Sequence, residues 1–264
     1  MQFDFGQNWT DFARAALTGE RVEAAQKEFA ALLEGVPLRD ASFLDVGFGQ
    51  GLSLLSAARS GSRALGCDIN PKCREALRVS AAWFPEVELS RIPIVTGSIL
   101  DADVLRELHS LAPSGDGHYD VVHSWGVLHH TGNMRLAIRN AASLVRPGGH
   151  LVLAIYNRHW SSPAWTLIKW LYCKAPHPLQ RLMVSLFMPV IWLAKRMTTG
   201  RDPTQKTRGM DFHYDVIDWV GGYPYEYASI AELRALVEPL GFECLRSRPA
   251  EVPTGCNEFV FRRL

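Results

Sequence analysis

Three glycines, Gly47, Gly49 and Gly51, follow an acid, Asp45, in the stretch FLDVGFGQGLSLL, Phe43 to Leu55. Apolar β-type residues lead in and a helix-like pattern leads out, so the glycines occupy a strand-to-helix turn. Such a turn lets backbone approach a ligand closely, with a helix N-terminus at hand. A dinucleotide fold asks for G-x-G-x-x-G/A, whose last small residue packs helix on strand. Here the third glycine comes one residue early, and position 52 is Leu. The acid lies inside the strand, two residues before the first glycine. Pyrophosphate gives no reason for an acid there. A ligand with an ammonium group and no phosphate does.

Other candidate residues follow later strands. His129 and His130 come directly after the fourth strand, at the carboxyl edge where open α/β sheets bind ligands. Imidazole titrates near neutrality, so either is a candidate general base. The segment RGMDFHYDVIDWVGGYPYEYAS is dense in titratable and aromatic groups. It is read as part of a substrate lid in which His213, Tyr214, Asp215 and Trp219 line an acceptor pocket, with Asp215 or His213 as the rival base, a solvated loop being the alternative. Tyr156 and Arg158, just past the fifth strand, point to the same edge. The Arg158 guanidinium suits a carboxylate or phosphate on a substrate.

These residues need a scaffold. Helical spacing runs over 8–34, and EGVP breaks it. Strands are expected at SFLDVG, RALGCDI, IPIVTGSI, YDVVHSWGV and HLVLAIYN, with helices between them and RPGG as a turn. That alternation predicts an α/β fold with a mostly parallel sheet. ECLRSRP and NEFVFRR close the chain as two strands that make the sheet edge antiparallel, giving seven strands. Residues 158–227 break the rhythm with the apolar stretches WTLIKWLYC and LMVSLFMPVIWLAKR. Neither reaches the roughly 20 apolar residues of a membrane span. They are read as a helical, aromatic lid over the acceptor, or as a surface for membrane contact or homodimer formation. Residues 198–209 are read as a mobile loop. The division is thus a helical cap at 1–40, a binding core at 41–157, the lid at 158–227, and a closing helix and strand pair at 228–264.

The motifs taken together resemble class I S-adenosylmethionine-dependent methyltransferases. LDVGFGQG is similar to that family's first motif, and GCDINP sits where it places an acid at the end of the second strand. YDVVHSWGVLHHTGN and LVRPGGHLVLAIYN resemble the ubiquinone and menaquinone methyltransferase-like branch. The resemblance implies a Rossmann-like seven-stranded sheet and S-adenosylmethionine as cofactor. It places Gly47, Gly49 and Gly51 against the methionine part and Asp45 near its amino group. Asp68 would take both ribose hydroxyls, with Ile69 beside it. Ser98 and Ile99 would meet the adenine, although the family often has Asp at the position of Ser98. Trp125 and Gly126 would flank the sulfonium, and Trp9 would close over the cofactor.

Composition narrows the class. A formal charge of +1 in 264 residues gives no basic excess for nucleic acid, and no NPPY-like tetrapeptide follows the fourth strand. The five cysteines show no zinc spacing, and the first residues lack the order of a signal peptide. The expectation is a cytoplasmic enzyme without metal. It would methylate a small molecule, most simply a hydroxyl of an aromatic, quinone-like or lipid-linked compound. A thiol or amine acceptor, a nicotinamide-dependent oxidoreductase and a non-catalytic cofactor-binding module are the alternatives.

Overall fold

Strand β1, Ser42–Val46, is buried at all five positions. A parallel strand covered by helices on both faces requires that, and Phe-Leu-x-Val supplies it. In the computed structural model, which describes residues 3–113, 115–204 and 211–264, β1 is central. Around it lie β2 (Arg63–Asp68), β3 (Ile94–Thr96), β4 (Tyr119–Trp125), β5 (Val145–Tyr156), β6 (Phe242–Arg248) and β7 (Cys256–Arg263). The order is β3-β2-β1-β4-β5-β7-β6. Strands β1 to β5 pair in parallel, and β7 runs antiparallel between β5 and β6. This is the expected mostly parallel seven-stranded sheet. The order reverses between β1 and β4, so the carboxyl ends of these strands border a crevice.

The helical spacing over 8–34 resolves into two helices, α1 (Phe5–Ala15) and α2 (Gly19–Leu32). Thr18 is extended, and its side chain accepts from the Arg21 N–H, capping α2. Helices α3 (Leu52–Arg59), α4 (Cys73–Ala81), α5 (Ala102–Ser110) and α6 (Met134–Ser143) link the parallel strands. RPGG is part of β5 and not a simple turn. Pairing with β4 jumps there from Tyr119–Val145 to Val121–His150, and Arg146 reaches back to Asp120.

The segment expected to be a lid consists of α7 (Ser162–Lys174), α8 (His177–Thr199) and α9 (Phe212–Gly221). It has its own core of Tyr172, Val184, Ile191, Phe212, Val216 and Val220. The polar, aromatic segment before residue 222 is helical and forms α9. Asp211 caps it by accepting from the His213 N–H, and Val216 and Val220 are fully buried on its inner face. Of the expected mobile loop at 198–209, the first two residues end α8, and 205–209 lie outside the described residues. Helix α10 (Ile230–Val237) opens with a Ser229–Glu232 capping box and leads into the closing strands.

Phe43 is fully buried, edge-on to Phe29 and stacked on His123 at 5.7 Å. Phe43→Ala is expected to cost about 3–5 kcal/mol in urea unfolding. A loss below about 1 kcal/mol would contradict this packing.

Candidate active site

A cavity of about 1090 Å³ opens at the carboxyl edges of β1, β2, β4 and β5. Asp45 lines its floor and is 2% exposed. It is in register with His123 on β4, whose Nδ1–H donates to Asp45 Oδ1 at 2.8 Å. Asp45 Oδ2 is buried with no partner among the described residues. An unmatched buried acceptor is costly, so the position suits a cationic donor such as an ammonium group and would repel a pyrophosphate.

Asp68 ends β2 at the far side of the glycine turn. Its Oδ2 accepts from Gly49 N–H at 3.0 Å and its Oδ1 from Asn70 N–H at 2.9 Å. Burial pushes its carboxyl up, while these two donors pull it down. The Cys73 thiol also hydrogen-bonds this carboxylate, and three donors on its four lone-pair sites leave room for a ribose hydroxyl. The turn needs its glycines for distinct reasons. Gly51, at φ 85°, opens α3, and a Cβ there would meet Leu77 Cδ1 at 2.3 Å. A Cβ on Gly47, at φ 77°, would strike Val127. Trp9 of α1 stands against Gly49 and lines the cavity.

Ile69, Ser98, Ile99, Trp125 and Gly126 also line it. Asn140 Nδ2 holds the Ile99 carbonyl at 2.8 Å, and Trp125 Nε1 donates to Glu258 Oε1 at 2.9 Å. Asp101, the neighbour of Ser98 with a carboxylate, instead caps α5.

His130, Tyr156, Trp165, Asp215, Asp218 and Trp219 line a further part of the cavity, called the chamber below. The two adjacent histidines part company. His130 lines the cavity and its Nδ1–H donates to the Pro224 carbonyl at 2.6 Å. Burial, then the Lys169 charge, lowers its pKa to about 3. His129 is fully buried, lies outside the lining, and accepts from the Tyr156 N–H at 3.4 Å. Burial drops its pKa well below that of a free imidazole. Both rings are neutral at pH 7. Asp215 meets the cavity while paired with Lys195 of α8.

Three other candidates stand apart. His213 is exposed, Tyr214 packs edge-on against Phe12 at 5.7 Å, and neither lines the cavity. Arg158 points away and pairs with Glu232 of α10 at 2.8 Å. Sequence reading missed His123 and Glu258. Each shows as a polar residue inside an apolar strand, but only the register reveals that both face this crevice. It also missed Lys169, which is fully buried under the chamber. The Lys169 ammonium donates to the Trp219 carbonyl and lies 4.2 Å from the Trp219 ring and 4.8 Å from that of Tyr225.

Burial brings the Lys169 pKa down to about 7, against the pull of Asp218 and Asp215. In the unfolded chain it titrates near about 10.4. Folding therefore expels a proton between these values. The penalty is full below about pH 7 and fades as pH rises toward 10. Lys169→Met removes the titration. Its stability relative to wild type, from urea unfolding, is expected to fall by about 1.4 kcal/mol per pH unit across that window. A pH-independent difference would contradict the buried ammonium.

Comparison with known proteins follows the same line. The family described as methyltransferase domain matches residues 18–247. A ubiquinone biosynthesis O-methyltransferase of Vibrio parahaemolyticus is 30% identical over 125 residues, 47% of this chain and 48% of that protein. The chain spans about half the length of the curated relatives it matches. An O-methyltransferase family protein from Burkholderia thailandensis superposes with a TM-score of 0.56 at 18% identity, covering 92% of this chain and 57% of that one. Magnesium protoporphyrin IX methyltransferase from Synechocystis, solved with bound S-adenosylhomocysteine, gives 0.54 at 17% identity, covering 93% and 84%. The carboxylate-flanked glycine turn and the sheet order thus have a common explanation: the chain belongs to the methyltransferase-domain family of S-adenosylmethionine-dependent methyltransferases.

Proposed function

We propose that this chain transfers the methyl group of S-adenosylmethionine to a hydroxyl of an aromatic, quinone-like or lipid-linked small molecule in the cytoplasm. The observation that carries the cofactor assignment is the unpartnered Asp45 Oδ2, set across the glycine turn from Asp68. One end fits an ammonium group and the other a ribose hydroxyl. When bound, the cofactor supplies a methyl group already activated by its sulfonium. The chain's own work is to hold the acceptor in line at about 3–3.5 Å and to keep water out. Trp165, Trp219 and Tyr156 supply an aromatic wall for a flat or apolar acceptor. The curated O-methyltransferase relatives support oxygen as the acceptor atom. None of the five cysteines is in a disulfide, which supports a reducing compartment.

A hydroxyl acceptor must lose a proton. Buried His129 and weakly basic His130 leave Asp215 as the favoured acceptor of that proton, held in place by Lys195. Glu258, held by the Trp125 indole, lines the same cavity.

Two measurements test this. Calorimetry is expected to show S-adenosylhomocysteine binding, abolished in Asp68→Ala and weakened at least tenfold in Asp45→Asn, as for a lost charge-assisted bond of about 1.5–3 kcal/mol. No binding by wild type would remove the cofactor claim. With an acceptor found in a catechol and quinol panel, Asp215→Asn is expected to lower kcat about 10²-fold while cofactor affinity holds. An unchanged kcat would move the role to another group.

A further inference from the structure

The outer face of the lid is unlike the rest of the surface. On α8, Leu179, Leu182, Leu186, Val190, Leu193 and Met197 recur at steps of three and four, and each is 46% to 76% exposed. That spacing draws one continuous apolar stripe along about 27 Å of helix. Leu167, Trp170 and Leu171 extend the patch onto α7, and all three are exposed. The opposite face of α8 borders the active-site cavity through Ile191, Ala194 and Lys195. A stripe of this size on a folded chain marks a docking surface.

Charge identifies the occupant. Between Asp120 and Asp202 the chain contains no Asp or Glu. Exposed Lys174, Arg181 and Arg196 flank the stripe, with Lys174 over the Trp170 ring at 4.0 Å and Arg196 over Trp192 at 5.9 Å. Aromatic bodies carrying cationic tips suit the zone between lipid tails and headgroups. No described helix is long and apolar enough to cross a membrane, so α8 would lie on the surface. A second copy would set the same cations against themselves, whereas an anionic headgroup layer complements them.

We propose that α7 and α8 dock the protein on an anionic membrane surface, apolar stripe inward, with the active-site chamber on the other side of α8. This goes beyond the methyl-transfer reading. It deepens the choice of acceptor, since a protein seated this way meets lipid-dissolved acceptors at the bilayer.

Cosedimentation of the full chain with vesicles tests it. Binding is expected to phosphatidylcholine vesicles containing one quarter phosphatidylglycerol, and at least tenfold more weakly to phosphatidylcholine alone. Leu182→Gln/Leu186→Gln/Val190→Gln, on the exposed face, is expected to reduce binding at least tenfold, and so is Arg181→Glu/Arg196→Glu. Both variants should retain wild-type S-adenosylhomocysteine affinity by calorimetry, so that loss of docking and loss of the cofactor site are read separately. A wild-type protein that stays in solution with both vesicle types overturns the proposal. So does a wild-type dimer that the triple variant turns into monomer, which would assign the stripe to a second copy.

Discussion

A carboxylate in the central strand of a parallel sheet has to find donors, and the fold depends on how Asp45 does so. Burial without a partner costs about 1–3 kcal/mol. His123 meets one oxygen from the neighbouring strand, and the other faces the cavity unmatched. The register that brings Asp45 level with His123 also stacks the imidazole on Phe43, two residues back in β1. The core thus holds the charged floor of the site in one orientation. Completion of that carboxylate is left to a ligand, and the glycine turn leaves room for the ligand to reach it.

Helices α7 and α8 are joined to the N-terminal helices through α9. Asn8 of α1 donates to Asp218 at 2.6 Å, Lys195 of α8 pairs with Asp215, and Lys169 of α7 reaches the Trp219 carbonyl. Arg21 of α2 pairs with Asp211 at the helix cap. One ten-residue helix therefore ties α1 and α2 to α7 and α8. The Lys169 ammonium is held against three aromatic rings at a desolvation cost, which shows in its lowered pKa. Removing charge there changes the pH response of the fold, and through Trp219 and Tyr156 it touches the chamber wall.

Local features were legible in the sequence. The glycine turn, the acid before it, the acid ending β2 and the alternation of strand and helix follow from neighbouring residues, and the structure brings all of them to one edge. Long-range pairings were not legible. Arg158 looked available until Glu232, 74 residues away, took its guanidinium. His213 and Tyr214 looked like pocket residues because the segment is dense in titratable and aromatic groups. Asp211 is the cap that begins a helix there, and helical geometry then turns His213 outward while Asp215 and Trp219 face the cavity. His123 and Glu258 were visible as polar letters in apolar strands, but the face of each depends on a sheet register that no local pattern sets.

A crystal structure with S-adenosylhomocysteine bound tests the central claim most directly. The amino group is expected within about 3 Å of Asp45 Oδ2, with a ribose hydroxyl on Asp68. A ligand that leaves Asp45 Oδ2 without a donor, or that sits away from the glycine turn, would contradict the account.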